Sequence, residues 1–188
     1  MRLGSLAFEI LPLAAFFVGN ATQGLFFAAA ASVAAALLVL VVAWTAERRL
    51  AVFSIFSVVL SGVLTVAAIL LSDAVLIKIQ PTVFNGLFSA ALLIGILAGV
   101  PVMRLFFGGQ FRLTERTWRL LSLRWGLYTG AVAIGNEIAW RTLSDDGWVI
   151  VKVAVIPALT VLFALSQLPL TLKGRLDAGE RLQQRQTP

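Results

Sequence analysis

Polar residues punctuate this chain at intervals; they do not alternate with apolar ones. Six apolar runs result: Leu6–Val18, Leu25–Trp44, Ala51–Leu71, Pro81–Val100, Leu120–Trp140 and Trp148–Leu170. A bilayer core of roughly 30 Å is crossed by about 20 helical residues rising 1.5 Å each. The last five runs reach that length. The first is shorter and carries Glu9 and Pro12, so it crosses obliquely, enters halfway or lies along the interface. No strand-like alternation and no repeat of roughly 20–50 residues stands out. The pattern therefore predicts an all-α, polytopic transmembrane helical bundle with five long spans plus a shorter amino-terminal helix. One transmembrane domain covers residues 1–172, and a polar tail follows over 173–188.

The connections carry their own signals. Within Pro101–Arg119, the Met103–Phe107 stretch mixes Arg104 with Leu and Phe, as an interfacial helical turn does. Gly108-Gly109 ends it, and Thr114 before Glu115 reads as the N-cap of the next long helix. Gly95-xxx-Gly99 and Gly126-xxx-Gly130 read as helix-packing signals. Arg2 ahead of an apolar run also fits a signal peptide, but an acid inside that run argues against one. The Asn20-Ala21-Thr22 sequon sits in so tight a turn that it reads as incidental.

Composition strengthens the membrane reading. The 188 residues are 60% hydrophobic and 13% charged, against about 25% charged in soluble domains. A soluble fold of this size could not hide so much apolar surface. The absence of Cys and His removes disulfides, thiol chemistry, Cys/His zinc sites and His-based triads. No P-loop, nucleophile elbow, HExxH or dinucleotide fingerprint is present. Neither an enzyme nor a cofactor is expected.

The net charge of +6 does not point to nucleic acid, because the cations stand at the ends of apolar runs. If all six segments cross, one side receives Arg2, Arg48, Arg49, Arg104, Arg112, Arg116, Arg119, Arg124, Lys173, Arg175, Arg181 and Arg185. The other receives only Lys78, Arg141 and Lys152. The positive-inside rule then makes both termini cytoplasmic. If the first segment does not cross, only the amino terminus changes side. Anionic headgroups are the expected lipid partners of the basic face.

One stretch gathers charge between two greasy runs: GNEIAWRTLSDDGWVIVK, residues 135–152. Gly126, Gly130, Ala133 and Glu137 share a helical face, so Glu137 points into a helix–helix contact. Arg141 follows four residues later, in the favourable order for an ion pair. Trp140 and Trp148 read as interface markers on antiparallel neighbours, which puts Glu137 and Lys152 at similar depth. A Glu137–Lys152 or Glu137–Arg141 clamp on the outward end of the last hairpin follows. The competing reading is a proton or ion relay through Glu9, Asn85, Asn136, Glu137 and Gln167. The clamp is preferred, since no His and no second mid-span carboxylate accompanies Glu137. Asp145-Asp146 could bind a cation, but beside Gly147 it reads rather as a solvated turn. Ser72-Asp73 with Lys78 faintly echoes Ser144-Asp145-Asp146 with Lys152, as a duplicated hairpin would.

Four blocks then carry a resemblance. They are Phe8-Glu9-Ile10-Leu11-Pro12-Leu13 with Phe16-Phe17; Asp73 to Lys78 with Pro81-Thr82, Asn85 and Leu87-Phe88; and Trp118-Arg119 with Leu121, Leu123 and Trp125. The fourth is Asn136, Asp145 or Asp146, Trp148-Val149 and Lys152, then Leu159-Thr160 and Phe163. In these the chain resembles the intracellular septation protein A family, also called YciB, of bacterial inner-membrane-spanning proteins. Glu9 stands where many relatives have Asp, and Ile79-Gln80 where an aromatic and a Lys are frequent. The resemblance implies a multi-pass inner-membrane protein, without accepted enzymatic activity, that supports septation and envelope integrity. Its implied partners are membrane proteins of division or elongation, and it leaves room for a homo-oligomer. A small transporter or lipid-handling protein using Glu137 and Lys152 is the alternative.

Overall fold

The computed structural model describes residues 3–47, 52–108 and 111–175. Arg2, Arg48, Arg49, Gly109, Arg181 and Arg185 lie outside them, with the rest of the tail and the side chain of Glu9. The regular elements are helices: α1 (Leu3–Gln23), α2 (Leu25–Glu47), α3 (Val52–Leu71), α4 (Val75–Lys78), α5 (Gln80–Leu97), α6 (Val102–Phe107), α7 (Glu115–Thr142) and α8 (Asp145–Ile150). A π-helical turn (Val151–Val155), α9 (Ile156–Ser166) and α10 (Leu168–Lys173) complete them. The all-α expectation holds for the described residues.

Among the described residues three stretches are long and apolar enough to cross a membrane: Leu25–Thr45, Val75–Leu97 and Asp145–Lys173. Ile10–Gln23 and Ser57–Leu71 are shorter apolar helices. Among the described residues, length and apolarity thus single out three spans where the sequence pattern suggests five long ones; α3 runs 20 residues as a helix, but its first side chains lie outside them. The 28 residues of α7 are ample in length, but Arg124, Asn136 and Glu137 dilute their apolar character. The first helix is longer than its apolar core implied, running 21 residues straight through Pro12. Proline there forfeits one backbone hydrogen bond, a loss that membrane helices absorb through neighbouring groups. At 1.5 Å per residue the helix is about 31 Å long.

The chain reverses where its sequence permits left-handed backbone. Gly24 (φ 84°) separates α1 from α2, and Gly19 lies so close to Ala28 that a Cβ there would come within 2.8 Å of the Ala28 Cα. After α5, the Val100 N–H bonds to the Gly95 carbonyl and the Gly99 N–H to that of Ile96. This is a Schellman end with Gly99 (φ 78°) in the left-handed position. Gly95-xxx-Gly99 therefore closes a helix, and its second glycine is not a packing position. The same pattern ends α3, with Ser72 (φ 51°) taking the strained place usually left to glycine. The π-helical turn ends two residues before Pro157. An α-helical turn would press the proline ring on the carbonyl four residues earlier, and the wider turn relieves that crowding.

Two compact units result, Met1–Phe84 with Ala133–Pro157 and Asn85–Val132 with Ala158–Pro188. The first buries Phe16, Ala28, Ile77, Trp148 and Val149 in one cluster. In the second, Leu92, Met103, Leu113, Trp118 and Leu121 form the core. There the small-residue face of α7 meets α5: the Ser89 hydroxyl donates to the Gly126 carbonyl at 2.7 Å, and a Cβ at Gly130 would meet the same hydroxyl. Thr114 caps α7 by accepting from the Thr117 N–H, as its position implied. Large apolar side chains lie outermost, with Leu70 78% and Leu97 88% exposed. That inverts a soluble surface and suits contact with lipid.

Candidate functional site

The first unit concentrates its polar side chains around Asn136. This residue is fully buried on α7, where an unpaired amide would be costly. Every group it can offer is used. Its Nδ2 donates to the Lys78 carbonyl at 2.8 Å and to the Thr82 hydroxyl at 2.9 Å. Its Oδ1 accepts from the Trp148 indole N–H at 3.0 Å. The Lys78 carbonyl is available because α4 ends there. One amide therefore ties the α4–α5 junction and α8 to α7.

Glu137 continues the network one residue later. Its Oε2 accepts from the Thr82 hydroxyl at 3.1 Å and the Trp140 indole N–H at 2.9 Å. Its Oε1 accepts from Arg141 Nε at 2.8 Å and from Nη2 of the same guanidinium. The guanidinium also stacks 4.5 Å from the Trp140 ring centroid, as planar Arg does over aromatic faces. With four donors converging on it, the carboxylate has little capacity left for a ligand. A double-mutant cycle of Glu137→Gln and Arg141→Met, followed by thermal melting in detergent, should show favourable coupling between the two. That coupling should be well below the loss from removing Asn136, because this pair stands partly in solvent. Zero coupling would exclude the clamp.

Outside the buried network, the turns join one another. Lys78 Nζ pairs with Asp145 at 2.5 Å, and Asn20 Nδ2 donates to Asp146 at 3.3 Å. Ser144 caps α8 by accepting from the Gly147 N–H, while Asp73 accepts from the Val75 N–H at 2.9 Å. Asp145 and Asp146 are exposed, as a solvated turn requires, and both also serve as anchors. Among the described residues no group of three or more His, Cys, Asp or Glu could hold a metal ion.

Lys152 departs from the first clamp suggested by the sequence. Among the described residues no carboxylate pairs with it; its ammonium sits 3.7 Å from the Phe16 ring centroid and 4.9 Å from that of Trp148. The carboxylate at similar depth is already committed to Arg141, whose four-residue spacing on one helix needs no further ordering. Trp148 also departs from expectation. It is a fully buried core residue, edge-on to Phe16 at 6.1 Å, because its indole N–H finds a buried acceptor in Asn136. Trp140 is half-buried.

The other candidates scatter. Glu9 lies on α1, its side chain outside the described residues. Asn85 is half-buried on α5 in the second unit, where buried Gln167 accepts from Arg124 at 3.1 Å. Sequence reasoning missed Thr82, Asn20 and Phe16. Thr82 and Phe16 entered only within the blocks that carry the resemblance, and Asn20 only as part of a sequon, none with a partner.

Known proteins match nearly the whole chain. The intracellular septation protein A family model covers residues 5–177. The inner membrane-spanning protein YciB of Nitrobacter hamburgensis is 36% identical over 93% of this chain and 88% of its own length. Its namesake in Mesorhizobium japonicum is 34% identical over 92% and 84%, and that of Brucella melitensis 36% over 93% and 95%. No solved structure matches. With the family match spanning most of the sequence, and relatives of this identity covering as much, the chain belongs to the intracellular septation protein A family.

Proposed function

We propose that this protein is a non-catalytic scaffold of the bacterial inner membrane, supporting envelope biogenesis and septation through contacts with other membrane proteins. The observation that carries this reading is the satisfied network at Asn136 and Glu137. Its polar groups bond to one another and leave no reactive group poised toward a substrate, as a structural lock does and an active site does not. Family membership supports the septation role. Division or elongation proteins and anionic lipids are the proposed partners, and self-association is open to the same surfaces.

In this reading the chain crosses the membrane six times with both termini cytoplasmic. The length of α1 supports a crossing by the first helix, and the basic residues of the α6–α7 region support the orientation. The lock then stands near the outward face. Transport is the second reading, favoured by one observation: Lys152 has no acid beside it among the described residues. Flux into proteoliposomes above that of empty vesicles would favour transport.

Complementation tests the scaffold. In a deletion strain, wild-type protein should restore cell length, septum placement and resistance to osmotic lysis. Arg141→Met, at matched membrane abundance, should restore them nearly as well, because it loosens only the exposed edge of the lock. A deletion without envelope phenotype under stress would remove the reading's support.

A further inference from the structure

The second unit holds a cavity of about 220 Å³, lined by none of the lock's residues. Trp118, Leu121 and Trp125 form one wall from a single face of α7, and Met103, Phe107 and Leu168 stand among the others. Its polar lining, Gln167 and Thr171, is already engaged. Gln167 accepts from Arg124 and donates to the Phe163 carbonyl and the Ser166 hydroxyl, while the Thr171 hydroxyl donates to the Gln167 carbonyl. The chamber therefore presents hydrocarbon and aromatic surface. It is smaller than the roughly 300–1,000 Å³ of compact-ligand pockets, and has room for part of one slender chain, the rest of which would lie outside.

Its surroundings are strongly cationic. The described residues of this unit include Arg104, Arg112, Arg116, Arg119, Arg124, Lys173 and Arg175 against one acid, Glu115, and that acid pairs with Arg104. Two of these cations are held beside the cavity by the backbone. Leu113, a lining residue, bridges antiparallel to Arg175, and the Thr114 N–H bonds to the Gly174 carbonyl at 3.0 Å. Gly174 lies against Thr117 so tightly that a Cβ would collide with its side chain, which keeps this closure narrow. Arg112 precedes Leu113 and Arg175 opposes it, both exposed.

We infer that this cavity seats a segment of one acyl chain of an anionic phospholipid, whose phosphate is met by Arg112 and Arg175. An apolar slot with a cationic rim matches an apolar tail with an anionic head, and arginine is the side chain best shaped to grip phosphate oxygens. The inference rests on the proposed orientation, which gives the slot to the cytoplasmic leaflet.

Native mass spectrometry of the full chain, released from detergent supplied with dioleoyl phosphatidylglycerol or dioleoyl phosphatidylcholine, tests it. Wild type should retain one phosphatidylglycerol several-fold more than phosphatidylcholine. Ala164→Phe, which fills the slot, should lose retention of both. Arg112→Gln with Arg175→Gln should lose the preference while melting like wild type. Equal retention of the two lipids, no retention, or a preference untouched by the arginine pair overturns the inference, even if Ala164→Phe fails to fold. Orientation fails separately. Because the chain has no cysteine, Arg112→Cys should react with an impermeant thiol reagent only after lysis. Labelling in intact cells would overturn the orientation and the leaflet, while the lipid preference stands or falls by the mass spectra.

Discussion

Asn136→Leu is expected to lower the unfolding free energy of the detergent-solubilised protein by about 2–4 kcal/mol. Leucine has nearly the shape of asparagine but none of its hydrogen bonds. The Lys78 carbonyl and the Trp148 indole N–H would each lose a buried partner, while Thr82 could still donate to Glu137. Side-chain hydrogen bonds between membrane helices are individually modest, about 0.6 kcal/mol on average and under 2 at most. The larger part of the loss is the cost of stranding two polar groups where no water reaches. Asn136→Asp probes the same site with a charge. Ionised at neutral pH, it keeps an acceptor for Trp148 but turns a buried carboxylate on the Lys78 carbonyl beside Glu137, so it should destabilise at least as much as leucine. A leucine variant that melts like wild type would show that the network orders the fold without stabilising it.

This network shows where sequence reading stops. Glu137–Arg141 was legible because both partners ride one helix, and a four-residue spacing fixes their proximity whatever else the chain does. Asn136–Lys78 and Asn136–Trp148 join different elements. Their meeting depends on how those helices pack, which no local spacing encodes. The echo between Ser72-Asp73 with Lys78 and Ser144-Asp145-Asp146 was visible, but not that Lys78 of the first turn would grip Asp145 of the second. Lys152 stood beside Arg141 as one of two partners offered to Glu137, on matched depth. Depth ranks residues along the membrane normal and says nothing of rotation about it, and rotation decided the pairing.

The helices were legible for a different reason. Apolar runs of membrane length leave the backbone no option but internal hydrogen bonding, so composition alone implies helix. Boundaries were less visible. The first helix overran its apolar core at both ends, because polar residues such as Asn20 and Thr22 remain helical when they bond within the turn: the Thr22 hydroxyl donates to the Val18 carbonyl at 3.0 Å. Gly95-xxx-Gly99 and Gly126-xxx-Gly130 look alike as strings. One is a helix terminus and the other a packing face, and only the backbone conformation at Gly99 tells them apart. The cavity beside Trp118 left no trace in the sequence, since an unfilled volume has no residue of its own.

Trp148→Ala should be the most damaging single change, costing about 3–5 kcal/mol as other buried aromatic truncations do. In a membrane the apolar side chain gains little by leaving lipid, so the loss is chiefly one of packing. Trp148 packs edge-on against Phe16 of α1, donates to Asn136 of α7 and stands 4.9 Å beneath the Lys152 ammonium. Its removal unfastens three elements together. Trp148→Phe keeps much of the ring surface and the cation's platform but deletes the N–H, and should cost about 1–2 kcal/mol. A cycle with Phe16→Leu should recover about 0.5–1.5 kcal/mol of coupling for the edge-on ring pair. The ordering carries the argument. If phenylalanine proves as harmful as alanine, the hydrogen bond to Asn136 outweighs the packing, and the lock is chiefly a polar device. If phenylalanine is nearly silent, the indole is there for its bulk, and Asn136 acts mainly through the Lys78 carbonyl. In that case the α4–α5 junction, not α8, is the element that α7 holds in place.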